Sequence, residues 1–162
     1  MLLPVLFNDL GIRISSVGNH EFDDGQTSLA DKWRHSPFRP KGWDITYVSS
    51  NVRSTETGAV PPFAQPVATT TLMLPGGKPF KIAFVGLIAS STPQQASIRK
   101  LKGLSFDGDY PAVLDSVLAL PVGEEVMHAN LRLILSHNGT ITNAEGQPQW
   151  DDKDAEDRKS VV

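Results

Sequence analysis

The sequence has no cysteine. Disulfides and thiolate metal sites are thereby excluded, and any metal would rest on His, Asp, Asn or Glu, which are nitrogen and oxygen ligands. This absence leaves the compartment open. Long apolar runs are also missing, and none reaches the roughly 20 residues that a membrane-spanning helix needs. There is no basic stripe and no run of Lys or Arg, and the net charge is -3. Composition therefore offers nothing to nucleic acid. The opening MLLPVLFNDLG is apolar, yet it has no basic leader and no small-residue cleavage site. It reads as a helix and not as a signal peptide.

What is present is ordinary globular material. The chain has 162 residues, of which 40% are hydrophobic and 20% charged, with a mean hydropathy of -0.19. That suffices for one domain with its own core and is short for two. No internal repeat and no domain boundary stand out.

Local patterns give an order of elements. Leu2, Leu3, Leu6 and Leu10 fall near helical spacing, with Gly11 as a C-cap. IRISSV then reads as a short strand, and TSLADKWRH as a helix capped by Thr27. HSPFRPKGWD is a loop on its Pro and Gly content. ITYVSSNV reads as a second strand, rich in β-branched residues. STETGAVPPFAQP is a long surface connection. VATTTLML and PFKIAFVGL, separated by PGGK, read as a hairpin. YPAVLDSVLAL predicts a helix with Pro111 in its first turn and Val113, Leu114, Val117 and Leu118 on one face. LRLILSHNG is a strand ending at His137. The last stretch, from about 141 to 162, is a polar tail, helical in DKDAEDRKSVV or frayed.

Chemistry concentrates in VGNHEFDDG, residues 17–25. The stretch leaves a strand, where α/β folds often place functional loops. The Asn19 oxygen can bind a cation, and the His20 imidazole can ligate a metal or donate a proton. Adjacent residues leaving a strand point different ways, so one can face a metal and the other a substrate. Asp23 can accept from the second ring nitrogen of His20 and fix its tautomer. The same Gly, Asn and Asp residues also suit a solvated turn, and spacing alone does not choose. His137 repeats the layout: an apolar strand, then polar residues, then Gly. By itself it fits a hydrogen-bonded structural histidine as well as a ligand. Asn138-Gly139-Thr140 matches a glycosylation sequon, which a neighbouring metal ligand would argue against.

Weaker features read as structural. His35 and His128 sit in polar surroundings and are expected to be exposed. Trp33, Trp43 and Trp150 are expected to pack. DGDY at 107–110 lacks the spaced ligands and distal Glu of a calcium loop. PGGK lacks the spacing of a phosphate loop.

GNHEFDDG resembles the Gly-Asn-His-Glu motif of the calcineurin-like metallophosphoesterases. Its extension into Phe-Asp and a following Gly resembles the 5′-nucleotidase branch. FNDLGIRISSVGNHEFD, YVSSNV, FKIAFVGL followed by STP, and LILSHNG resemble successive segments of that family, in order, over roughly residues 5 to 140. The resemblance implies an α/β fold, here a partial four-layer α-β-β-α sandwich with mixed sheets. It implies a phosphoric monoester hydrolase that acts on a nucleotide or another small phosphate ester. Two divalent ions (Zn, Mn, Mg or similar), roughly 3.5–4 Å apart, activate a water in such sites. By residue match, Asn19 and His137 would ligate one ion. His20 would contact the phosphoryl group or the leaving oxygen, and Asp23 would pair with His20. Glu21 would bond nearby backbone. No residue is assigned to binding the rest of the substrate, and localisation stays open.

The chain departs from that family in several places. Eighteen residues precede Asn19, and they contain neither an Asp-x-His nor a Gly-Asp motif. No His follows His137, so Gly-His-x-His is absent, and Asn138 stands where an apolar residue is usual. The expectation is a single partial catalytic domain over residues 1–162 that holds part of one metal site and is inactive alone. Two ligands are fewer than the three protein ligands of a catalytic zinc, and uncovered sheet edges imply poor independent stability. The competing expectations are a degenerate, non-catalytic binding or assembly domain, and a related phosphoesterase acting on cyclic nucleotides or nucleotide sugars.

Overall fold

The computed structural model describes residues 10–27, 29, 45–138, 141–142 and 148–149, the last two pairs as backbone only. All of the helix expected over residues 2–10 except Leu10, most of the helix expected over 27–35 and the whole loop over 35–44 lie outside these residues. So do Trp33, His35, Trp43, Trp150 and the tail beyond 149.

Alternation in IRISSV produces β1, Ile14–Ser16, which pairs in parallel with β2, Thr46–Val48. Beyond β1 the chain buries Val17 and turns into a one-turn 3-10 helix, Asn19–Phe22. Phe22 is fully buried and anchors that turn. It meets Phe63 and Phe106 edge-on, with ring centroids at 5.6 and 5.9 Å, a favoured aromatic geometry. Val17, Leu29, Tyr47, Val52, Ile88 and Leu101 complete this core. The connection over residues 55–66 is thus not wholly superficial, because Phe63 and Ala64 pack on the core.

ITYVSSNV is not one strand. After β2 the chain passes through Ser49, Ser50 and Asn51, all buried, and resumes as β3, Val52–Ser54. The β3 strand pairs antiparallel with a later strand, not with β1. The break has a physical cause. Ser50 N–H donates to the Gly86 carbonyl at 2.6 Å, and the Asn51 side chain bonds Ile88 and Asp107. These bonds replace the ladder that a continuous strand would have made.

The expected hairpin is present as β4, Val67–Leu74, and β5, Lys78–Ile88, paired antiparallel. Gly76 and Gly77 take positive φ at its tip, which glycine adopts without steric cost. A short helix α1, Thr92–Gln95, follows β5, and β6, Leu104–Phe106, pairs with β3. Neither was apparent from periodicity, since both are about one turn or three residues long.

Helix α2, Tyr110–Leu118, starts where Pro111 predicts. Asp109 caps it, its side chain accepting from Ala112 N–H at 3.2 Å, so DGDY serves as a helix start. Val113 and Val117 are buried, but Leu118 is exposed. It closes the helix, and its carbonyl lies against Gly123 of the next helix. That helix, α3, Pro121–Met127, was unforeseen, although Pro121 at its start is a standard signal. His128 is exposed, as expected.

The α2–α3 pair carries the chain back so that β7, Leu131–His137, lies parallel to β5, with His137 opposite Ile88. The larger sheet runs β4-β5-β7. Val67, Ala83, Val85, Val117, Val126 and Ala129 form the core between it and the helices. Beyond it, β8, Ile141–Thr142, pairs antiparallel with β9, Pro148–Gln149. The architecture is α/β with mixed sheets.

Candidate functional site

Three strand ends meet at one edge of the fold. The end of β1 delivers Val17 to Asp23, the end of β5 delivers Ala89 to Gln95, and the end of β7 delivers His137. Backbone bonds hold them in place. Val17 N–H donates to the Val48 carbonyl at 3.1 Å, and Ala89 N–H donates to the His137 carbonyl at 3.2 Å. The carboxyl ends of parallel strands are a common location for α/β sites.

Asn19 and His137 are brought together. Asn19 Oδ1 and His137 Nε2 are 2.9 Å apart. The approach depends on Gly18, because a Cβ there would stand 2.7 Å from His137 Cε1. Gly18 N–H in turn donates to Glu21 Oε2 at 2.8 Å, so Glu21 closes the turn against its own backbone. This bond leaves the Glu21 carboxylate engaged locally.

His20 lies on the same 3-10 turn. Its Nδ1 is 3.0 Å from Asp23 Oδ2. Both side chains are open to solvent, at 79% and 62% exposure, so the imidazole is accessible to a small molecule. The turn is tied down from behind. Lys100 Nζ donates to the Asp23 carbonyl, and Gln26 Nε2 donates to the carbonyls of Lys100 and Lys102 at 3.1 and 2.9 Å.

Sequence reading did not single out Gly18 or Gln95. Gln95 Oε1 accepts from Asn19 Nδ2 at 3.4 Å. Its only sequence marker is its place three residues after Thr92 in STPQQ, and that says nothing about contact with residue 19. Asn138 lies beside His137, with its Oδ1 3.5 Å from the Tyr110 hydroxyl.

The pair Asn19–His137 suits a cation by donor type, since a carboxamide oxygen and an imidazole nitrogen both ligate divalent ions. Their separation of 2.9 Å is that of a hydrogen bond. It is shorter than the roughly 3.3–3.6 Å between two ligands about 2.0–2.2 Å from a tetrahedral ion, so the pair would have to open to take zinc. The set is small, however. Among the described residues no three His, Asp or Glu side chains gather to hold a metal.

Neither a known family model nor a curated protein sequence matches the chain. Solved structures do. A putative 5′-nucleotidase from Staphylococcus aureus, in complex with alpha-ketoglutarate, superposes with a TM-score of 0.58 at 18% identity, over 90% of this chain and 25% of that one. The calcineurin-like phosphoesterase YfkN from Bacillus subtilis gives 0.60 at 20% identity, over 89% of this chain and 41% of that one. A 5′-nucleotidase precursor from Thermus thermophilus gives 0.59 at 24% identity, over 83% of this chain and 23% of that one.

The chain has the calcineurin-like phosphoesterase fold.

It spans less than half the length of each of these phosphoesterase structures. The fold leaves the activity of this chain to be argued from its own residues.

Proposed function

We propose that the chain forms part of a metal-dependent phosphoric monoester hydrolase of the 5′-nucleotidase type, within a four-layer α-β-β-α sandwich. The observation that carries this reading is the 2.9 Å approach of Asn19 Oδ1 to His137 Nε2 beside the exposed His20–Asp23 pair. Asn19 and His137 would hold one divalent ion. When bound, such ions stabilise charge on a phosphoryl group and lower the pKa of a coordinated water.

The protein's own part is position and charge. With Nδ1 directed to Asp23, His20 keeps Nε2 for a phosphoryl or leaving oxygen. Asp23 fixes the ring orientation, and Glu21 fixes the turn that carries both. The substrate is a small phosphate ester, and a nucleoside monophosphate is the first choice. With two donors the chain holds an ion weakly and does not complete the reaction alone.

Equilibrium dialysis against Mn²⁺ or Zn²⁺, followed by metal analysis, tests the site. Weak binding that Asn19→Ala and His137→Ala each abolish is expected. Binding that survives both substitutions would remove the metal reading. Nucleoside monophosphates, a cyclic nucleotide and a nucleotide sugar should all remain intact when offered to the chain with Mn²⁺. Turnover of any of them would show that two donors suffice and would name the substrate.

A further inference from the structure

The β7 strand lies at the edge of the larger sheet. Among the described residues it pairs with β5 alone. Its sequence is that of an inner strand, since LRLIL places apolar side chains on both faces. The fold leaves them uncovered. The core beneath α2 and α3 takes Val67, Ala83 and Val85 from β4 and β5, and no residue from β7. Leu131, Leu133 and Ile134 remain 40%, 37% and 38% exposed. The usual protections of an edge are missing. The strand has no proline, its register with β5 is unbroken by a bulge, and Arg132 is its one permanently charged residue.

The backbone is open on the same side. Ala89 N–H donates to the His137 carbonyl, so His137, Leu135 and Leu133 turn their backbone groups toward β5. Arg132, Ile134 and Ser136 alternate with them and turn theirs outward.

We propose that β7 is a self-association surface, pairing antiparallel with β7 of a second copy about a two-fold axis at Ile134. The strand is complementary to itself in that register. All three outward residues find partners, because Ile134 meets Ile134 and Arg132 meets Ser136. On the other face Leu133 meets Leu135. Apolar side chains stand opposite apolar ones, and the two arginines stay apart. A parallel pairing in register would instead set Arg132 beside Arg132. The antiparallel contact is isologous and closes as a dimer. It sets Leu131 of one copy beside His137 of the other, at the margin of the candidate site.

Sedimentation velocity of the chain over a concentration series tests the proposal. The mass should rise from 17.6 kDa toward twice that value, and the His137 ring signals should shift with concentration. Ile134→Lys sets like charges opposite each other on the axis and removes an apolar contact. It should weaken the dimer ~10-fold or more. Ser136→Glu sets a carboxylate opposite Arg132 twice in each dimer. It should tighten the dimer ~2–10-fold, a gain that loss of folding does not produce. A mass that stays at 17.6 kDa throughout would overturn the proposal and leave this edge to another occupant. A dimer indifferent to both substitutions would also overturn it, placing the contact elsewhere on the surface.

Discussion

Gly18 is in contact with the ring of His137. A Cβ on Gly18 would stand 2.7 Å from Cε1 and 2.8 Å from Nδ1 of that ring, and 2.8 Å from the Glu21 carboxylate. The glycine in Gly-Asn-His-Glu is thus a matter of clearance. Its φ of -116° is open to any residue, so the constraint is space and not backbone strain.

Gly18→Ala should therefore displace His137 from Asn19. The fold has some room to yield, because His137 is an exposed side chain at a strand end. The expected cost is about 1–3 kcal/mol, the usual range for overpacking. Chemical denaturation would measure it, and the His137 ring signals should shift. A variant of native stability with unshifted ring signals would contradict the contact.

Gly86→Ala should be worse. Its Cβ would lie 2.2 Å from the Val48 carbonyl oxygen and 2.5 Å from the carbonyl carbon, both backbone atoms inside the fold. Neither can swing away as a side chain can. A loss of about 3 kcal/mol or more is expected, the upper end of overpacking costs. Gly76→Ala is the comparison, at a positive-φ site in open space, where only the left-handed penalty of about 1–2 kcal/mol applies. Thermal melts of the two should differ in that order, and the reverse order would show that the close approach of Val48 and Gly86 is wrong.

Asn51→Ala should uncouple three segments. The Asn51 side chain donates to the Ile88 and Asp107 carbonyls at 2.7 and 2.9 Å and accepts from Ile88 N–H at 3.0 Å. Alanine leaves buried backbone groups without a partner, at about 1–3 kcal/mol each. Asn51→Asp should not rescue the loss, because it keeps the acceptor, drops both donors and buries a charge. A urea titration showing less than about 1 kcal/mol for Asn51→Ala would refute this assignment.

Glu125 should show a depressed carboxyl titration. Lys81 Nζ, 3.0 Å away, and the Thr69 hydroxyl both bond its carboxylate, with Lys81 the larger cause. A carboxyl lowered on folding contributes stability above its unfolded pKa and loses it as pH falls through the folded value. The group is exposed, so the contribution is small and salt-sensitive. Lys81→Met should move the NMR titration of Glu125 up toward the usual carboxylate range, and no movement would show that the pair does not persist in solution.

Much of this protein is legible in its sequence. Alternation in IRISSV and LRLILSH, the Pro-Gly-Gly turn of the hairpin and Pro111 at the start of α2 specify local structure, because side-chain period and turn stereochemistry act within a few residues. The crowding of Asn, His and Asp between glycines in VGNHEFDDG marks a place where chemistry is possible. Tertiary structure decided the rest. Asn19 and His137 are separated by 118 positions, and they meet because β7 lies parallel to β5 while the β1 end packs against both. The break in ITYVSSNV, the clearance at Gly18 and the contact of Gln95 with Asn19 likewise depend on partners far along the chain. No local pattern encodes a hydrogen bond whose other half arrives only when two sheets pack together.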